Sequence, residues 1–207
     1  MADKADFVSF LTTNPGFGKI NFEFMGYKIY PSGFTKDVAG CIGNGDIGIN
    51  RRFSDIGMTS IGAAYMPGPD HYSISKGFDL KSQAGQILIA HESAHALQDY
   101  QKLGKVPIPD AEAIAYVAEA IFALANGWPM LLDPATGAPH PIRVAAANAA
   151  ATVLNGSYTI SQGLIAAVKT AVASSGHYDA KGFHDFDGID DKSIWGTIKF
   201  IGQRMHD

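Results

Sequence analysis

No stretch of this chain limits its fold as much as His91-Glu92-Ser93-Ala94-His95. On an α-helix, residues four apart differ by about 40° in direction and about 6 Å in rise, so both imidazoles leave one face and can meet a single metal ion. Glu92 flanks that face, where its carboxylate can reach a metal-bound water and take its proton. Between Leu88 and Leu97 the other residues (Ile89, Ala90, Ser93, Ala94, Ala96) are uncharged. A helix that is apolar nearly all round is a buried one. Buried imidazoles and a buried carboxylate need partners, because a polar group taken out of water without one is strongly unfavourable. The fold must therefore put this helix at its centre and bring a third ligand to it, since a catalytic zinc takes three protein ligands and keeps one position open.

The surrounding pattern predicts an α+β protein. The motif helix is placed at about 82–103, with Gly104 as its stop. Upstream, Lys19 to Tyr30 alternates around a Met25-Gly26 turn, and Asp46 to Asn50 follows a Gly-Asn-Gly turn. Ile61 to Met66 and Asp70 to Ser75 flank Pro67-Gly68-Pro69, as in a hairpin or bent strand. Downstream, Asp110 is a candidate N-cap for a helix running to Asn126, followed by helices at about 142–155 and 159–175 and a short one at 192–206. At 207 residues this reads as one two-lobed domain, with residues 1–104 carrying a sheet and the motif helix and residues 105–207 forming a helical lobe.

The composition excludes several functions. The formal charge is −4 and there is no Lys/Arg run to neutralise a phosphate backbone, which argues against nucleic acid as a partner. The longest apolar stretches, such as Ile114 to Ala125, are interrupted by Glu119 and too short for a bilayer, so no membrane partner is expected. The first residues lack an apolar run of signal-peptide length, which predicts a cytoplasmic protein or one exported by a signal-independent route. Cys41 is the only cysteine, so no internal disulfide can form; it reads as a small buried hydrophobe.

The third ligand has two candidates on the helix after the motif, Glu112 and Glu119, seven residues apart and thus on one face. In a simple antiparallel pair of helices closed by residues 104–109, Glu119 lies level with His95. Pro107 and Pro109 make that connection extended and free the helices from the ideal hairpin.

With this layout the chain resembles the zincin metallopeptidases, specifically over residues 86–120 and only in architecture elsewhere. The metzincin pattern would place Gly at 98 and His at 101, and both are Gln here. Asp110-Ala-Glu-Ala-Ile-Ala-Tyr116 is similar to the glutamate-bearing helix of the gluzincins, although Tyr116 stands where they commonly carry Asp. The resemblance implies an N-terminal twisted, mostly antiparallel sheet with the motif helix, a helical C-terminal lobe, and a cleft between them. It implies Zn2+ held by His91, His95 and Glu112, with Glu92 as catalytic base and a peptide or protein as substrate. It also implies that an edge strand within Gly62 to Ser75 binds extended substrate by main-chain pairing. Tyr116 is a candidate for orienting a ligand or an oxyanion. Peptide deformylases share the five-residue motif and use a cysteine ligand, but the glycine-rich segment that should precede Cys41 is absent. A zinc amidase acting on a non-protein amide, or a zincin-fold binding protein without turnover, are the rival readings.

Outside the motif the pattern is weaker. His177, Tyr178 and His184 are candidate transition-state donors that read more simply as solvated loop residues, and His140 between two prolines is uninformative. The acidic run from His184 to Asp191 lacks the register of an EF-hand and reads as a solvated loop.

Overall fold

The computed structural model describes residues 3–51, 62–129, 137–178 and 180–189. Helix α1 (Lys4–Thr13) opens on a capping box between Asp3 and Asp6. A 3₁₀ turn (Pro15–Lys19) leads to the hairpin β1 (Phe22–Phe24) and β2 (Tyr27–Ile29). Met25 and Gly26 both have positive φ, 54° and 86°, the two-residue turn geometry that matches strand twist. A π-helical segment (Gly33–Val38) runs into α2 (Ala39–Asn44), neither of which the sequence reading anticipated, and β3 (Gly48–Asn50) follows.

Strands β4 (Ala63–Met66) and β5 (His71–Ile74) form the expected hairpin around Pro67-Gly68-Pro69. The motif helix α3 (Gln83–Tyr100) starts where Ser82 caps Gly85 N–H. It ends three residues earlier than anticipated, because Gly104 belongs to a further strand, β6 (Gly104–Pro107). Helix α4 (Ile108–Ala125) begins ahead of Asp110: Pro109 sits in its first turn, where its missing N–H costs nothing. Asp110 lies one residue further in and is paired with Lys169 at 2.6 Å. Helices α5 (Pro141–Leu154, capped by His140) and α6 (Gln162–Ser174, capped by Ser161) fall close to their predicted spans. Strand β7 (Phe183–Phe186) stands where a solvated loop was expected. The helix expected at 192–206 lies outside the described residues.

The architecture is α+β, with less sheet than expected. Instead of one twisted, mostly antiparallel sheet the described residues form three small ones: β1-β2, β3-β5-β4 with β3 parallel to β5, and β6-β7. The strands are only three or four residues long, so each sheet covers one patch of the helices. One buried cluster joins side chains from α1 to α6, including the packed rings of Phe10, Phe17, Phe34 and Phe122. Among the described residues no helix is long and apolar enough to cross a membrane.

Helix α3 runs through the middle of this core, and its start is sterically fixed. A Cβ at Gly85 would collide with the Asp79 carbonyl oxygen, a backbone atom that cannot rotate away. The Gly85→Ala variant gains roughly 1 kcal/mol of helix propensity. The clash costs about 1–3 kcal/mol, so the net change is a loss of stability. Thermal unfolding of Gly85→Ala should therefore show a Tm below that of the parent chain; an equal or higher Tm would mean the start of α3 is not fixed in this way.

Candidate metal centre

Helices α3 and α4 pack side by side and bring three donors together. His91, His95 and Glu112 are all buried, and one ligand atom from each lies within 4.8 Å of the others. His91 Nε2 is 3.3 Å from Glu112 Oε2, and His95 Nε2 is 3.4 Å from Glu112 Oε1. Two donors on a tetrahedral ion with bonds of about 2.0–2.1 Å are about 3.3 Å apart. The 3.3 and 3.4 Å separations would suit two donors on one such ion.

The hydrogen bonding supports the same fit. Glu112 Oε2 is buried and close to His91, yet not aligned with any donor, so it has no hydrogen-bond partner. A carboxylate oxygen left in that state inside a protein is costly, and a cation between it and the imidazoles would satisfy it. His95 Nδ1 and Gln98 Oε1 are also buried without a partner. Burial opposes charge on Glu112, but the neighbouring imidazoles of His95, His184 and His91 outweigh it and hold the carboxyl well below its usual range.

Glu119 takes a different place. Its Oε2 accepts from His91 Nδ1 at 3.1 Å and its Oε1 accepts from Arg143 Nε at 2.7 Å, so both oxygens are engaged on the far side of the ring. Burial pushes its pKa up, but the His91 hydrogen bond and the charges of His91 and Arg143 bring it below normal. An ionised carboxylate can only accept, so His91 carries a proton on Nδ1 and presents Nε2 to Glu112. The local pattern, and not the ideal antiparallel hairpin, thus locates the glutamate beside both imidazoles. The reason is β6: Gly104 to Pro107 is extended, and α4 starts one full strand away from α3.

Glu92 sits at the edge of β4. Ser75 N–H bonds to Gly62 O, and the register places Tyr65 opposite Tyr72. In such a ladder alternate residues turn their amides outward. Tyr65 is one of them, and its N–H donates to Glu92 Oε2 at 2.7 Å. Burial dominates the Glu92 carboxyl and pushes it up to about 7, with His91 and the Tyr65 amide holding it back from rising further.

The walls of the site come from residues whose part the sequence concealed. His184, on β7, donates from Nε2 to Glu112 Oε1 at 3.2 Å. Tyr178 shares a 2.9 Å hydrogen bond with Tyr116, whose ring packs edge-on against His91 with centroids 4.7 Å apart. Burial and the nearby Glu112 push the Tyr178 phenol above its usual range. His177 is exposed beside His140, away from the metal cluster, and His140 caps α5. Only the alternation in Phe183-His184-Asp185-Phe186 hinted at β7, and it is too short to mark a strand. Arg143 was signalled by being the one charge in an otherwise uncharged helix.

The network is tied together by Asp99, one turn beyond His95. Its Oδ2 accepts from Tyr65 O–H at 2.8 Å and its Oδ1 from Gly188 N–H at 3.0 Å. One buried carboxylate therefore holds both β4, which carries the amide facing Glu92, and the loop that follows His184. No family model, curated protein or solved structure matches this chain.

Cys41 is half-buried and is not among the donors of the described cluster. Burial, then the carboxylates of Asp46, Asp37 and Asp70, push its thiol up to about 11. Since only the thiolate reacts, alkylation by iodoacetamide near pH 8 should run on the order of a hundredfold slower than for an ordinary thiol. Reaction at the rate of free glutathione would contradict this environment.

Proposed function

We propose that this chain is a zinc-dependent metallopeptidase of the gluzincin type, with His91, His95 and Glu112 holding Zn2+ and Glu92 serving as the base. The observation that carries the reading is the convergence of two imidazoles and one buried carboxylate within 4.8 Å, with a second carboxyl, Glu92, one residue along the same helix. When bound, zinc lowers the pKa of a coordinated water toward about 7 and polarises a carbonyl.

The chain's own residues supply the rest. Glu92, held by the Tyr65 amide and carrying a carboxyl poised near neutrality, accepts the proton of the attacking water and returns it to the leaving nitrogen. His184 Nε2 and the Tyr178 hydroxyl, both beside Glu112, are the donors available to a developing oxyanion. Helices α3 and α4 keep His91, His95 and Glu112 buried, with β4 and β7 beside them. β4 is an edge strand beside the base, and Ala63 and Tyr65 turn their main-chain groups away from β5. A peptide is favoured as substrate because an extended chain could pair with those main-chain groups of β4 that Glu92 does not occupy.

The purified protein should carry about one zinc per chain by elemental analysis, and removal by a chelator should lower its Tm, since a ligand bound only by the native state stabilises it. No zinc after reconstitution would end this reading.

Glu92→Gln should keep the metal while hydrolysis of a mixed peptide library, followed by mass spectrometry, falls by several orders of magnitude. Full activity in that variant would remove Glu92 from the mechanism. Glu112→Ala should lose tight zinc binding in a competitive titration, whereas an unchanged affinity would place the third ligand elsewhere.

A further inference from the structure

The His91 ring is anchored from behind by a chain of contacts that crosses three helices. Arg143 on α5 donates from Nε to Glu119 Oε1 at 2.7 Å, and Glu119 on α4 accepts from His91 Nδ1 at 3.1 Å on α3. Glu119 is 1% exposed, so neither oxygen has water to turn to. The guanidinium also lies 5.9 Å from the centre of the Tyr116 ring, which itself packs on His91. Tyr116 occupies the position where the gluzincin pattern commonly has Asp, and the carboxylate that reaches the histidine comes from Glu119 instead.

We propose that Glu119 and Arg143 are positioning residues for the metal, fixing His91 as the Nδ1-protonated ring that offers Nε2. This rests on the reading of His91 as a zinc ligand. A histidine with a free Nδ1 can rotate about χ2 or present either nitrogen, and each alternative takes the lone pair away from Glu112. The carboxylate behind the ring removes both freedoms. Arg143 in turn prevents Glu119 from rotating and balances its charge. Without the guanidinium, the buried pocket would hold Glu92, Glu112 and Glu119 as three acidic groups; with it, Glu92 and Glu112 remain for a divalent cation to balance. Helix α5, which contributes no ligand, thereby controls metal affinity.

The test uses the full chain loaded with Zn2+ alone and with Co2+ alone. Glu119→Leu should weaken zinc binding by roughly 10–100-fold in a competitive titration, and Arg143→Met should weaken it by less. Glu119→Gln keeps an oxygen that can accept from Nδ1, and should recover most of the loss; Arg143→Met carries the test if the leucine variant fails to fold. The Co2+ d–d absorption bands should shift in Glu119→Leu and stay near the parent positions in Glu119→Gln, which a general loss of stability would not produce. Long-range 1H–15N spectra of the zinc-loaded parent should show the His91 proton on Nδ1. If the parent binds zinc but Glu119→Leu keeps parental affinity and spectra, or, where the leucine variant does not fold, Arg143→Met keeps parental affinity, the positioning role is overturned while the zinc site stands. If the parent binds no zinc, both readings fall together.

Discussion

The constraint on which the whole structure depends is that α3 is buried along nearly its entire length while carrying six adjacent or near-adjacent polar side chains: His91, Glu92, Ser93, His95, Gln98 and Asp99. A helix in that position would be more stable with leucines, and each polar group has to be answered by a neighbour or remain a cost. The elements around α3 can be understood as those answers. Glu92 is met by the β4 amide, Asp99 by the Tyr65 hydroxyl and the Gly188 amide, Ser93 by the Tyr72 hydroxyl, and the histidines by α4. The small sheets are thus clasps on a polar helix more than layers of a core.

Three of those answers are incomplete. Glu112 Oε2, His95 Nδ1 and Gln98 Oε1 have no hydrogen-bond partners, although each belongs to a residue whose other polar atom is engaged. Burial would ordinarily neutralise such groups, yet His91 is held well above its usual pKa by the hydrogen bonds of Glu112 and Glu119 despite that burial, while burial lowers His95. The same burial thus acts on two imidazoles whose surroundings differ, because Glu119 stands behind His91 alone. A divalent cation would take the Nε2 lone pair of both rings and the free carboxylate oxygen together. The same substitution would release His184 from Glu112, leaving its Nε2 hydrogen to face whatever enters beside β7.

The sequence made the centre of this arrangement legible and left its perimeter hidden, for a physical reason. The spacing of His91 and His95 is a property of one helix, so the face they share follows from helical periodicity alone. The hairpin at Met25-Gly26 and the helix boundaries near Ser82, Pro141 and Ser161 are likewise local. The placing of Glu112 rather than Glu119 beside both imidazoles was hinted at locally, by Asp110 to Tyr116 and by Pro107 and Pro109, but the strand that makes the connection extended, β6, pairs with β7 from far along the chain. His184 and Gly188 arrive at the site through that same pairing, so no inspection of their neighbours in sequence could have separated them from a solvated acidic loop. The π-helical segment before α2 is another tertiary outcome. Gly33 lets it approach α3 so closely that a Cβ there would lie 2.6 Å from the Leu97 side chain.

These long-range pairings also decide what the site can tolerate. Asp99 holds β4 with one oxygen and the β7 loop with the other, so movement of either wall strains the same carboxylate. Burial pushes Asp99 up from its normal pKa, opposed by the Tyr65 and Gly188 hydrogen bonds, so both walls favour its ionised form. Helices α3 and α4, by comparison, are held by broad apolar packing across the core. The cluster is therefore built in two tiers: His91, His95 and Glu112 set by that packing, and the surroundings of Glu92 and His184 tied to a single carboxylate's hydrogen bonds. Changes at the perimeter should act first on how Glu92 and His184 are aimed, and only afterwards on the cluster that His91, His95 and Glu112 form.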